Sequence, residues 1–134
     1  MAAEYSNPVP DPRAVLPPCP GAAGSTGRGE ANIKACGAFF AVEQMRLGAS
    51  PQEACLRALE RVLATTEDRL LTERGRPRFC LSYYALAKDG RFGGATFYEY
   101  APEESPRGTY AVADAKGARL EPMAFLFTKE ERPK

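Results

Sequence analysis

From residue 30 onward the apolar positions follow a helical period first and strand-like runs afterwards. Ile33, Cys36, Gly37, Phe40 and Gln44 form one stripe at i, i+3, i+4 spacing, and Ala35, Phe39, Val42 and Met45 form another beside it. These stripes predict a helix from about Glu30 to Leu47, apolar over a wide arc and covered on most sides. Gly37 and Ala38 would let another element pack closely, and Gly48 sits just past the end as a C-cap. A second helix has a sharp start: Ser50 is the N-cap, Pro51 fits the first helical position and Glu53 the third, which makes a capping box. Cys55, Leu59, Val62 and Leu63 give its buried stripe, and Arg57, Glu60, Arg61 and Glu67 its wet face. It is expected to fade near Leu70 or Leu71, ahead of a polar loop at 72–78 containing Gly75 and Pro77.

Strand-like runs follow. Phe79 to Ala87 and Arg91 to Tyr98 flank Asp89-Gly90, a strong hairpin signal. Small residues at Gly93, Gly94 and Ala95 would let a covering helix approach. Thr109 to Ala113 is a third strand, Lys116-Gly117 the turn after it, and Leu120 to Phe127 a short final element. Helices followed by strands imply an α+β domain, with two helices packed on an antiparallel sheet. No further helix remains for the other sheet face. That face is expected to lie open, or to be covered by another polypeptide or by self-association.

Composition adds boundaries. Pro8, Pro10, Pro12, Pro17, Pro18 and Pro20 are half of the 12 prolines, so residues 1–20 read as a proline-rich, poorly ordered arm. Residues 21–128 form the domain, and 129–134 a charged tail expected to fray. The 134 residues are 44% hydrophobic and 26% charged, as in an ordinary globular domain. A net charge of +1, with basic residues scattered, gives no footprint for nucleic acid or an anionic membrane. No apolar stretch is long enough to span a bilayer, and no targeting signal is visible, which leaves the cytoplasm as the default compartment. Cys36, Cys55 and Cys80 fall on apolar positions and read as buried thiols; no CxxC pairing suggests zinc. The chain has no histidine, which excludes Ser-His-Asp and Cys-His catalysis within it and any His-ligated metal.

The candidate chemistry lies in Ser25-Thr26-Gly27-Arg28-Gly29-Glu30, just ahead of the first helix, after an Ala-rich start that could pair as a short strand. A Gly lets a main-chain N–H approach an oxygen closely, and a Thr hydroxyl beside it can donate a second hydrogen bond. Two such donors on one developing oxyanion suit acyl transfer, where losing one typically costs about 3–4 kcal/mol of transition-state stabilisation. By spacing alone, a plain tight turn and an anion-binding loop both fit. The glycines match neither a P-loop nor a dinucleotide fingerprint.

Thr26-Gly27-Arg28-Gly29-Glu30, then Cys36-Gly37, Met45-Arg46-Leu47-Gly48 and Ser50-Pro51-Gln52-Glu53-Ala54-Cys55, in that order, resemble the glycosylasparaginase family of N-terminal nucleophile hydrolases. Phe79 to Asp89-Gly90, and Tyr110-Ala111-Val112 to Leu120-Glu121, are similar to its closing hairpin and last strand. The resemblance runs from about Gly21 to Phe127 and implies part of an αββα sandwich. It also implies cleavage of the side-chain amide of an asparagine derivative by an amino-terminal threonine, whose own α-amino group is the base, with no metal or cofactor. Thr26 and Gly27 would form the oxyanion hole, and the Gly29 carbonyl would meet the substrate's α-amino group. Arg28 occupies a variable position and carries no role.

Two of the family's motifs are missing. The nucleophile's Asp-Thr-Ile/Val-Gly setting does not occur, nor does the Gly-Arg-Val-Gly-Asp-Ser stretch that holds the substrate. The expectation is an incomplete amidohydrolase that supplies the oxyanion-side loop, takes a small amino-acid amide, and is inactive unless a second polypeptide carries the threonine. A non-catalytic module that holds a small anion or amino acid is the alternative, and a poorly folded remnant the blandest reading.

Overall fold

The computed structural model describes residues 20–104 and 107–134. The proline-rich arm, apart from Pro20, and Cys19 lie outside the described residues. In chain order the elements are β1 (Gly21–Gly27), α1 (Gly29–Ala35), α2 (Gly37–Arg46), α3 (Pro51–Ala64), β2 (Leu81–Ala87), β3 (Phe92–Tyr98), β4 (Thr109–Asp114), β5 (Gly117–Pro122) and β6 (Ala124–Phe127). Among the described residues no helix is long and apolar enough to cross a membrane.

The α+β class is as expected, but the sheet is mixed. Its order is β1-β2-β3-β6, and β4 and β5 form a separate two-stranded ribbon. β1–β2 and β2–β3 are antiparallel, whereas β6 runs parallel to β3, pairing Ala95 with Ala124 and Tyr98 with Phe127. Between β3 and β6 the chain passes through the β4–β5 ribbon, whose two strands are antiparallel and turn at Asp114–Gly117.

The single first helix expected over 30–47 is broken into α1 and α2. Cys36 adopts a left-handed conformation with φ 48° and ψ 41°, costly for a residue with a Cβ. Asn32 holds the break: its Oδ1 accepts from the Tyr83 hydroxyl at 2.7 Å and from the Ala38 N–H at 3.1 Å. Gly37 leaves the space for that phenol, since a Cβ there would stand 2.6 Å from Tyr83 Cζ. The break resets the helical phase. Ile33 and Phe39, assigned above to buried stripes, are 74% and 69% exposed, while Ala35, Ala41 and Met45 are buried. Cys36 is exposed for the same reason. Cys80 is exposed just ahead of β2, so of these three thiols only Cys55 is buried.

The helix ends obey local rules. Gly48, at φ +99°, closes α2 in a Schellman arrangement: the Ala49 N–H donates to Gln44 O and the Gly48 N–H to Met45 O, both at 3.0 Å. The capping box of α3 is present, with Glu53 N–H on Ser50 Oγ at 3.3 Å and Ser50 N–H on Glu53 Oε2 at 2.9 Å. α3 stops at Ala64, short of the expected Leu70 or Leu71. Thr65 and Thr66 there turn their hydroxyls back onto helix carbonyls, Thr66 onto Val62 O at 2.7 Å, in competition with the ladder.

The core lies between the helices and one sheet face. Cys55, Leu59 and Val62 of α3 are buried against Leu81, Tyr83 and Phe97, each large apolar side chain contributing about 1.5–3 kcal/mol. Gly93 admits the first turn of α3, as a Cβ there would come within 2.7 Å of Gln52 Cα. The opposite face, expected to lie open, is partly covered by the chain's own ribbon. Tyr110 of β4 stands over Gly94, with the Tyr84 and Phe92 rings each 6.2 Å from its own. Leu86 and Leu120 remain exposed. The charged tail is docked rather than frayed: Glu131 pairs with Arg76 and Arg132 with Glu104, both at 2.5 Å, and Arg132 stacks 4.8 Å over Tyr100.

Candidate functional site

The segment ahead of the first helix is a strand through its seventh residue, and Thr26 and Gly27 are its last two positions. The small side chains of residues 21–27 let it lie flat along β2, with Thr26 opposite Ser82 and Gly27 opposite Leu81. At one end the Arg28 N–H donates to Cys80 O at 3.0 Å, and at the other the Lys88 N–H donates to Pro20 O at 3.0 Å. Hydrogen-bonded and non-bonded pairs alternate in an antiparallel ladder, so Ala23, Ser25 and Gly27 fall at the non-bonded positions. Among the described residues β1 is an edge strand, and the Gly27 N–H is thereby directed away from β2.

Gly27 has φ +116°, and a Cβ would overlap the Cys80 carbonyl oxygen and lie 2.9 Å from Leu81 Cα. Only glycine fits this corner, where the chain leaves β1 to enter α1. The Thr26 hydroxyl is 2.7 Å from the Tyr84 hydroxyl, two residues along β2 from its register partner.

Thr26 and Gly27 open onto the same cleft, about 610 Å³, between the sheet and the β4–β5 ribbon. Among the described lining residues Arg107 supplies the sole charged side chain, which favours an anion there. Tyr84, Tyr100 and Tyr110 give it a phenolic wall. Burial, and then a 3.4 Å contact with Cys80 Sγ, push the Tyr100 hydroxyl up to about 12, and burial raises Tyr110 as well. Tyr100 and Tyr110 therefore stay neutral donors near pH 7. Among the described residues the lining offers hydrogen-bond donors, one cation, hydroxyls and the Cys80 thiol, but no carboxylate, amine or imidazole to serve as a base.

Gly29 is the first residue of α1, exposed, and outside the cleft lining. A first-turn carbonyl runs along the helix axis as an intrahelical acceptor. Arg28 turns away, its guanidinium 5.5 Å over the Phe79 ring. The structure thus brings together Thr26 and Gly27 and leaves Gly29 apart. Tyr84 and Arg107 were missed from sequence. For Tyr84 a signal existed, because Ser82 and Tyr84 alternate onto one face of a strand; Arg107 sits in irregular chain and offered none.

No family model matches the chain. Over 107 residues it is 35% identical to an N(4)-(beta-N-acetylglucosaminyl)-L-asparaginase from Elizabethkingia miricola, an alignment covering 78% of this chain and 28% of that relative. The chain therefore spans little more than a quarter of the length of the relative it matches, and is similar to part of a glycosylasparaginase.

Proposed function

We propose that this chain forms the oxyanion side of a glycosylasparaginase-like amidohydrolase site whose attacking threonine comes from outside these 134 residues. The observation that carries the reading is that Thr26 and Gly27, the residues named by the sequence resemblance, both line one cleft whose described lining holds a single cation. In this reading the Thr26 hydroxyl and Gly27 N–H hold the oxyanion formed when a side-chain amide is attacked. Gly29 would offer the remaining lone pair of its carbonyl to the substrate's α-amino group. The substrate class is an asparagine derivative, in keeping with what the relative's name says that protein cleaves. Among the described lining residues there is no carboxylate, amine or imidazole to act as base, so the purified chain is expected to be inactive without a polypeptide that carries the threonine. The assay is hydrolysis of an asparagine derivative by the chain alone and together with a polypeptide that begins with the threonine. Activity restricted to the mixture supports the reading, and turnover by the chain alone overturns it.

A second reading draws on Arg107: a cleft with one cation and several neutral donors also suits a small-anion module without catalysis. Thermal shift with aspartate, asparagine and phosphate separates the two. Stabilisation by phosphate and not by aspartate favours the module.

A further inference from the structure

We propose that Tyr84 is a positioning residue that donates its hydroxyl proton to Thr26 and thereby frees and polarises the Thr26 hydroxyl as the oxyanion donor. The inference rests on reading Thr26 as that donor.

Thr26 Oγ1 and Tyr84 Oη are 2.7 Å apart, a full hydrogen bond. Geometry permits either oxygen to donate, but the chemistry is asymmetric. A phenolic O–H is intrinsically far more acidic than that of an aliphatic alcohol. It is therefore the better donor and the poorer acceptor, and the bond runs from Tyr84 to Thr26. The single proton of Thr26 is then unspent and can point into the cleft. Hydrogen bonds in series polarise one another, so a Thr26 hydroxyl that accepts from Tyr84 donates more strongly to an anion than one in water. With the opposite direction, Thr26 would present only lone pairs to the cleft and would repel an oxyanion.

The surroundings hold the phenol in this pose. Tyr84 is flanked across the sheet by Gly24 on β1 and Gly94 on β3. Neither has a side chain to lift the ring, which is therefore free to lean along the sheet toward Thr26, a diagonal neighbour within reach of an aromatic side chain. The Tyr110 ring, 6.2 Å away and seated over Gly94, backs it from the ribbon. Thr26 and Tyr84 both line the cleft, so the pair meets whatever binds there.

The test is a titration of the isotope-labelled 134-residue chain with L-aspartate, whose side-chain carboxylate stands in for the oxyanion, followed at backbone amides. Tyr84→Phe keeps the ring and its contact with Tyr110, so a native amide spectrum is expected. Its aspartate affinity should fall about threefold to tenfold, the worth of one hydrogen bond. In a Thr26→Val background the same change should cost nothing further, and in a Thr26→Ser background, which restores a hydroxyl, the cost should return. A structural role for the phenol would give equal losses in all three backgrounds and overturn the inference, as would unchanged affinity in Tyr84→Phe alone. If the unaltered chain fails to bind aspartate, the oxyanion reading falls and takes this inference with it; binding that is indifferent to Tyr84 leaves that reading standing and removes only this one.

Discussion

Gly27 and Gly29 stand two residues apart in one motif, and replacing each by alanine should have opposite effects. At Gly27 the backbone has φ +116°, and a Cβ would meet only main-chain atoms of the neighbouring strand: the Cys80 carbonyl and Leu81 Cα. No flexible side chain is there to yield. A forbidden φ costs about 1–3 kcal/mol, and prising two strands apart adds about 1–3 kcal/mol of overpacking. Gly27→Ala should therefore lose roughly 3 kcal/mol, a large share of the roughly 5–15 kcal/mol that holds a domain together. At Gly29 nothing lies within 4 Å of the added Cβ, and φ is outside the left-handed region. Alanine there gains helix propensity of at most about 1 kcal/mol. Urea denaturation followed by circular dichroism measures both. The expected order is Gly29→Ala at or above the parent and Gly27→Ala well below it. Equal stability of the two variants would refute the corner geometry on which the placement of the Gly27 N–H depends.

Gly37→Ala should destabilise by about 2–4 kcal/mol, because its Cβ would overlap the buried Tyr83 hydroxyl and stand 2.9 Å from Asn32 Oδ1, breaking the bond that holds the α1–α2 break; a parent-like denaturation midpoint would contradict this. Alkali should also unfold the protein. Burial pushes the Cys55 thiol from 9.0, and the Tyr98 and Tyr100 hydroxyls from 10.0, up to about 12. Below about pH 9 both states are protonated and the stability is complete. The unfolded chain ionises first, so stability is lost between about pH 9 and 12. Denaturation midpoints that stay level to pH 11 would contradict that assignment.

The sequence foretold structure best where local rules decide it. Ser50, Pro51 and Glu53 announce the start of α3 by themselves, and Asp89-Gly90 announces the turn between β2 and β3, where Gly90 has φ +92°. It was silent where distant residues decide. The break at Cys36 depends on Tyr83, 51 residues from Asn32, and no periodicity marks a left-handed cysteine. β6 joins the sheet in parallel because of the path the ribbon takes, which its four residues do not encode. For the site, Thr26 and Gly27 were readable from their motif. Strand alternation places Ser82 and Tyr84 on one face, but the meeting of Tyr84 with Thr26 across 58 residues is set by the β1–β2 register and is not local to either segment. Arg107 reaches the cleft only through the fold of the connection between β3 and β4.

The central claim is geometric: the Thr26 hydroxyl and the Gly27 N–H serve one anionic oxygen. A crystal of the chain grown with L-aspartate tests it directly. The account predicts one side-chain carboxylate oxygen within about 2.7–3.2 Å of both Thr26 Oγ1 and Gly27 N, with Tyr84 still bonded to Thr26. Aspartate bound elsewhere, or a carboxylate touching one of the two donors while the other points away, would contradict it.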